Sequence, residues 1–203
     1  MIKIEIDEVM FNLPSDWSDV SLNGLMKLNQ LQKQEFKSNI DQTSSLLVAL
    51  TDVPEDVILS LPMDDFKQLA TLLEWASKMP SENNPQSVII IDEVEYSPID
   101  IQTMSAGEFI SLEVFQGGSD AEEKFHYVAA ILIRPVVDGK VEKLKDMIDI
   151  QKRADLFKEK LMVGIYWPIV QSFFGGAVSS SLINTQASSD RVKSPSKLRI
   201  VNS

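Results

Sequence analysis

The chain opens on strict alternation. Ile2, Ile4 and Ile6 are separated by Lys3, Glu5 and Asp7, which puts the isoleucines on one face of a strand. Val9 to Leu13 continues beyond Asp7-Glu8, so the two segments predict a hairpin. The period then changes. Leu22, Leu25, Met26, Leu28 and Leu31 recur at helical spacing behind Ser21, predicting a capped helix that runs to about Lys37. Leu46 to Leu50 predict a second helix, started by Asp41 or Thr43 and ended by Pro54. Pro54 with Glu55-Asp56, and Pro62 with Asp64-Asp65, place proline and acids where helices begin. They predict two more helices, the second reaching Ala76.

Lys78 to Gln86 is rich in Pro, Asn and Ser and divides the chain. Val88 to Ile91, β-branched throughout, predict a strand covered on both faces, returning through Glu95 to Pro98. Ser105, with Glu108 three residues on, predicts a capping box for the helix of Phe109, Ile110 and Leu112, stopped by Gly117-Gly118. Phe125 to Leu132 predict a helix ending before Arg134-Pro135, and Asp138-Gly139 predicts a tight hairpin between Val136-Val137 and Val141. Lys143 to Phe157 is charged and amphipathic. Leu161 to Phe174 is almost wholly apolar, with Pro168 early in a helix or at a kink. From Ser179 the chain is polar, and Lys197-Leu198-Arg199-Ile200-Val201 then alternates basic and apolar residues, predicting an edge strand for a partner's sheet.

The order of events repeats. Ile6-Asp7-Glu8-Val9 recurs as Ile91-Asp92-Glu93-Val94, and each copy leads through a proline into helices. A repeat this long implies two similar subdomains rather than an array. The expected fold is therefore α+β and mostly α-helical: a β-hairpin followed by a small helical bundle in 1–82, the same again in 86–178, and an extended C-terminal tail in 179–203.

Composition narrows the chemistry. With no cysteine, disulfides, thiol nucleophiles and thiolate metal sites are absent. No run approaches the roughly 18 apolar residues of a membrane span, and the alternating start lacks the apolar core of a secretion signal, so a cytoplasmic protein that binds no membrane is expected. Net charge is −11. The segment after Gly176 carries Arg191, Lys193, Lys197 and Arg199 against Asp190; removing that +3 from −11 leaves −14 on the body. An acidic body repels nucleic acid. The tail's cations offer the one nucleic-acid reading, and equally a docking arm for an acidic protein.

His126 is the single histidine, and an enzyme reading would need it to converge with Asp92 and Glu93 on a metal or a proton transfer. Asp7-Glu8 and Asp92-Glu93 also suit hairpin bends, and the glycine pairs lack the spacing of a phosphate loop. No metal or cofactor is expected. For partner binding the candidates are Tyr166, Trp167, Phe173 and Phe174, as an aromatic surface, together with Arg191, Lys193, Lys197, Leu198, Arg199, Ile200 and Val201 in the tail.

Several segments carry a resemblance: Trp17 to Leu22, Thr103 to Glu113, Ala130 to Pro135, Arg153 to Phe157 and the closing Phe173-Phe174. Together they resemble small structural or assembly proteins from the virion-gene clusters of tailed bacteriophages, including those infecting Bacteroidetes, and loosely the tail or baseplate-hub assembly chaperones. The resemblance covers about residues 1 to 176. It implies a non-enzymatic role, with other phage structural proteins or further copies of the chain as partners. It also implies a location in the host cytoplasm during assembly, with the virion as a further destination.

Overall fold

A computed structural model describes residues 1–5, 9–78, 80, 84–117, 120–144 and 146–174, and the backbone of 6 and 199–201. The fold is α+β and mostly helical. Its contacts divide it into two units: Met1–Val20 and Lys27–Met79 with the C-terminal strand, and Ser21–Met26 with Pro80 onward.

In the first unit, strands β1 (Ile2–Ile6) and β2 (Val9–Leu13) pair antiparallel with Ile4 opposite Phe11. Ile4 and Leu13 are fully buried, as the alternation requires. Trp17 anchors the chain that follows, its indole N–H donating to Lys78 O at 2.6 Å and its ring meeting Trp75 edge-on at 5.2 Å. Helix α1 (Leu22–Gln32) has Ser21 as its cap, with Gly24 N–H donating to Ser21 Oγ at 3.2 Å, and stops short of Lys37.

Helix α2 (Asn39–Thr51) starts from Ser38 rather than Asp41 or Thr43. Asp41 N–H donates to Ser38 Oγ at 3.1 Å, and the Asp41 carboxylate accepts from Lys37 N–H. The Asp41 carboxylate thus bonds the residue ahead of the N-cap, not the N-cap itself, so this is not a capping box. The helix ends on Asp52 in the left-handed region. Pro54 and Pro62 each stand one residue ahead of the helices they introduce, α3 (Glu55–Leu59) and α4 (Met63–Leu72). Leu28, Leu46, Leu47, Ile58, Phe66 and Leu69 fill the core.

The second unit is built on a four-stranded antiparallel sheet in the order β3-β4-β5-β6. Strands β3 (Ile89–Ile91) and β4 (Val94–Pro98) turn through Asp92 (φ 49°) and Glu93 (φ 66°), both left-handed. That is the backbone of a two-residue hairpin turn matched to strand twist. Helix α5 (Ala106–Gln116) begins on the expected capping box, Ser105 with Glu108, and ends at Gly117. Helix α6 (Phe125–Leu132) runs directly into β5 (Ile133–Val137), which turns through Asp138-Gly139 into β6 (Lys140–Val141). The sequence pattern predicts a helix end here and misses the first half of β5, because Ile131-Leu132-Ile133 is apolar without a period and Pro135 argues against a strand.

Pro135 explains why β6 is short. Glu142 N–H donates to Pro135 O at 2.9 Å, the return bond would need the N–H that proline lacks, and the ladder stops. Helix α7 (Met147–Lys160) is capped by Asp146. Helix α8 (Val163–Phe174) carries Pro168 in its interior, where proline forfeits one helical hydrogen bond. Before α8, Ser21 bridges Met162 and Leu22 N–H donates to Leu161 O at 3.0 Å.

The register assigns the two faces of this sheet. Ile89, Tyr96 and Pro135 share one face, and there Tyr96 meets Phe157 of α7 edge-on at 5.2 Å. Arg134 points to the other face and reaches Glu108 of α5. The sheet thus lies between α7 and α5. Strand β7 (Arg199–Val201) belongs to the first unit, pairing antiparallel with β1 so that its sheet reads β2-β1-β7.

Candidate protein-binding surface

The aromatic run of α8 splits into core and surface. Tyr166 and Trp167 are only 1% and 3% exposed, so the expectation that they form an aromatic surface is corrected. Tyr166 tilts against Phe125, and complete burial pushes its hydroxyl far above the usual tyrosine range. The cause is the composition of α8: with apolar residues on every side of its first two turns, the helix is buried all round. Phe173 and Phe174 are half-buried and meet edge-on at 5.0 Å. Phe173 lines a groove of about 230 Å³ with Ile169, Ile99, Ile101, Pro85 and Pro98, to which Asp100 and Ser172 add polar groups.

Of the tail candidates, Arg191, Lys193, Lys197 and Leu198 lie outside the described residues. Arg199, Ile200 and Val201 form β7, opposite Glu5, Ile4 and Lys3 of the chain's own β1. The strand expected to extend a partner's sheet extends this one.

Helix α5 carries a further set of exposed apolar residues. Helix α5 is rich in apolar residues but buries only Leu112. Ile110 and Val114, one helical turn apart, are 59% and 61% exposed, and Phe109 is exposed beside them. The helix is nevertheless firmly built. Ser105 N–H donates to Glu108 Oε2 at 2.6 Å, and Glu108 N–H donates back to the serine hydroxyl at 3.3 Å. Arg134, buried, sets its guanidinium 3.1 Å from Glu108 Oε1 and donates from Nε to Ile131 O at 3.0 Å. Burial by itself would raise the Glu108 carboxyl, but the Ser105 donors and the Arg134 charge outweigh it and hold the group below the usual glutamate range. Phe115 stacks on Tyr127 at 4.8 Å and closes the other end. Such anchoring leaves the apolar stripe facing water on an ordered scaffold.

On the sheet, Ile89 and Ile91 of β3 are buried while Ile90 is 73% exposed and the adjoining Val88 is 51% exposed. The strand is therefore covered on one face, not both. The apolar run concealed a half-exposed edge.

The acid–base candidates do not converge. Asp92 accepts both contacts of a close ion pair with Lys160, at 2.5 and 2.6 Å. His126 is buried in α6 against Tyr127; burial, aided by the Lys158 charge, keeps its pKa below the usual histidine value, with Asp155 opposing. Among the described residues no group of three or more His, Asp and Glu side chains could hold a metal ion, and no helix is long and apolar enough to cross a membrane. No protein-family model, curated protein or solved structure matches the chain.

Proposed function

We propose that this chain is a non-enzymatic bacteriophage virion or tail-assembly protein that works by binding other phage structural proteins. One observation supports the binding role above the rest: α5 is capped, ion-paired and stacked into place, yet presents Phe109, Ile110 and Val114 outward. Exposed apolar residues grouped on one firmly anchored helix of an acidic protein mark a place where another protein sits. The phage setting comes from the sequence resemblance in Thr103 to Glu113 and its companion segments.

Two finer elements belong to this reading. The repeated Ile-Asp-Glu-Val before each set of helices supports an origin by duplication. The cations Arg191, Lys193 and Lys197, against a body of −14, support residues 179–203 as a docking arm for acidic partners. Docking in trans by Arg199–Val201 would require their pairing with β1 to be exchanged.

A second reading, an assembly chaperone that leaves before maturation, draws on the same stripe, since a transient holder also presents exposed apolar residues. Quantitative mass spectrometry of purified particles beside infected-cell lysate separates the two. A fixed ratio to tail or portal proteins in particles identifies a structural subunit, and abundance in lysate with absence from particles identifies the chaperone. Absence from both overturns the phage reading.

A further inference from the structure

Helix α5 sorts its residues by side. Glu108, Leu112 and Phe115 recur every three or four positions and turn inward, onto Arg134, into the core and onto the Tyr127 ring. Ile110 and Val114, four residues apart, lie on the opposite side, and Phe109 flanks them. About three turns of helix therefore present an apolar ridge, the shape against which a second helix packs.

Charge says what kind of helix fits. From Pro80 to Glu123 the chain carries ten carboxylates and no lysine or arginine, so −10 of the net −11 falls in this one stretch, with α5 inside it. Some of these acids are answered by cations from elsewhere in the chain, Asp92 by Lys160 and Glu108 by Arg134. Glu113 is placed differently. It is exposed, one residue from Val114 and three from Ile110, in the last turn of α5. A carboxylate there meets the negative end of the helix dipole, and the turn holds no basic residue to offset it. The helix itself gains nothing from an acid at this position, whereas a cation brought from outside would. The short turn Ala121–Glu123, which packs against α5, adds the exposed Glu123.

We infer that α5 binds an amphipathic helix of a partner protein, whose apolar stripe lies on Phe109, Ile110 and Val114 and whose flanking lysines or arginines meet Glu113 and Glu123. The α5 of a second copy fits poorly, because it would set acid against acid. This occupant deepens the binding role proposed for α5 and rests on that role, but not on the phage setting, which particle composition tests separately.

Fluorescence anisotropy on the full chain tests it with labelled peptides of about 18 residues, long enough to form a helix. All share one leucine stripe and carry lysine, glutamine or glutamate along its flanks. The lysine peptide should bind about tenfold tighter than the glutamine peptide, and the glutamate peptide weakest of all. Ile110→Gln should weaken the lysine peptide about tenfold, while Ile148→Gln, at a position of α7 that is also exposed, should leave it unchanged. Glu113→Lys should weaken it similarly without lowering the thermal midpoint, since lysine suits the last turn of a helix.

Equal binding of the lysine and glutamine peptides, each lost in Ile110→Gln, would overturn the cationic partner and leave α5 a binding surface. Lysine-peptide binding indifferent to Ile110→Gln would be general attraction to an acidic protein and would overturn the site. Absence of binding by all three would overturn the inference outright. Self-association in sedimentation velocity that Ile110→Gln abolishes would name a second copy as occupant and overturn it equally.

Discussion

Asp92 and Glu93 occupy the left-handed region at both centres of the β3–β4 turn, whereas the β5–β6 turn uses Asp138 and Gly139 (φ 51° and 71°). A non-glycine residue there costs roughly 1–2 kcal/mol, and glycine returns about half of any gain as unfolded-chain entropy. Glu93→Gly should therefore stabilise the chain by about 0.5–1 kcal/mol in urea unfolding. The Lys160 contact survives, because Asp92 makes it. The reverse change, Gly139→Ala, should destabilise by about 1 kcal/mol; similar effects at both turns would show that strain is not what separates them. His126 supplies a pH dependence. Its folded pKa lies below the unfolded value of about 6.5, so unfolding takes up a proton in acid. Its contribution is complete above about pH 6.5 and is lost as pH falls from there towards the folded pKa. His126→Leu should flatten the stability profile below about pH 6.5. An unchanged slope would assign the acid sensitivity to carboxylates instead.

For α5, what builds the element and what it buries come apart, and substitution should show it. Ser105→Ala removes the hydroxyl that accepts from Glu108 N–H and should cost about 1 kcal/mol. Leu112→Ala, at a buried position, should cost about 2–5 kcal/mol. Ile110→Gln and Val114→Gln should each change stability by less than about 0.5 kcal/mol while weakening partner capture. Large losses of stability at Ile110 or Val114 would mean the stripe packs within the fold. The same helix marks what sequence could and could not convey. Its cap was legible, because Ser105 and Glu108 act through local backbone groups. So were the two hairpins and the proline-led helix starts, whose causes lie within a few residues. Burial was not legible, because an apolar side chain records affinity for a neighbour without saying whether the chain provides one. Tyr166 and Trp167 read as surface and are core, and Ile90 read as covered and is bare.

At the scale of the whole molecule, charge outweighs any single contact. A chain of −11 repels itself, and two copies together would carry −22. Salt shortens the reach of that repulsion from about 30 Å at 0.01 M to about 8 Å at 0.15 M, while burial of apolar side chains is not weakened by it. Any apolar self-association should therefore strengthen as salt rises over this range. Replacing Arg191, Lys193 and Lys197 together by glutamine takes the net charge to −14 and should steepen that dependence. The opposite trend has its own meaning. If binding instead ran through the tail's cations onto nucleic acid, salt would weaken it and the same triple substitution would abolish it, because release of counterions drives such complexes. Sedimentation at fixed protein concentration across a salt series, with and without added duplex DNA, discriminates the two by sign. Apolar self-association gives mass that grows with salt and ignores DNA; a cationic arm on nucleic acid gives mass that appears only with DNA and falls as salt rises.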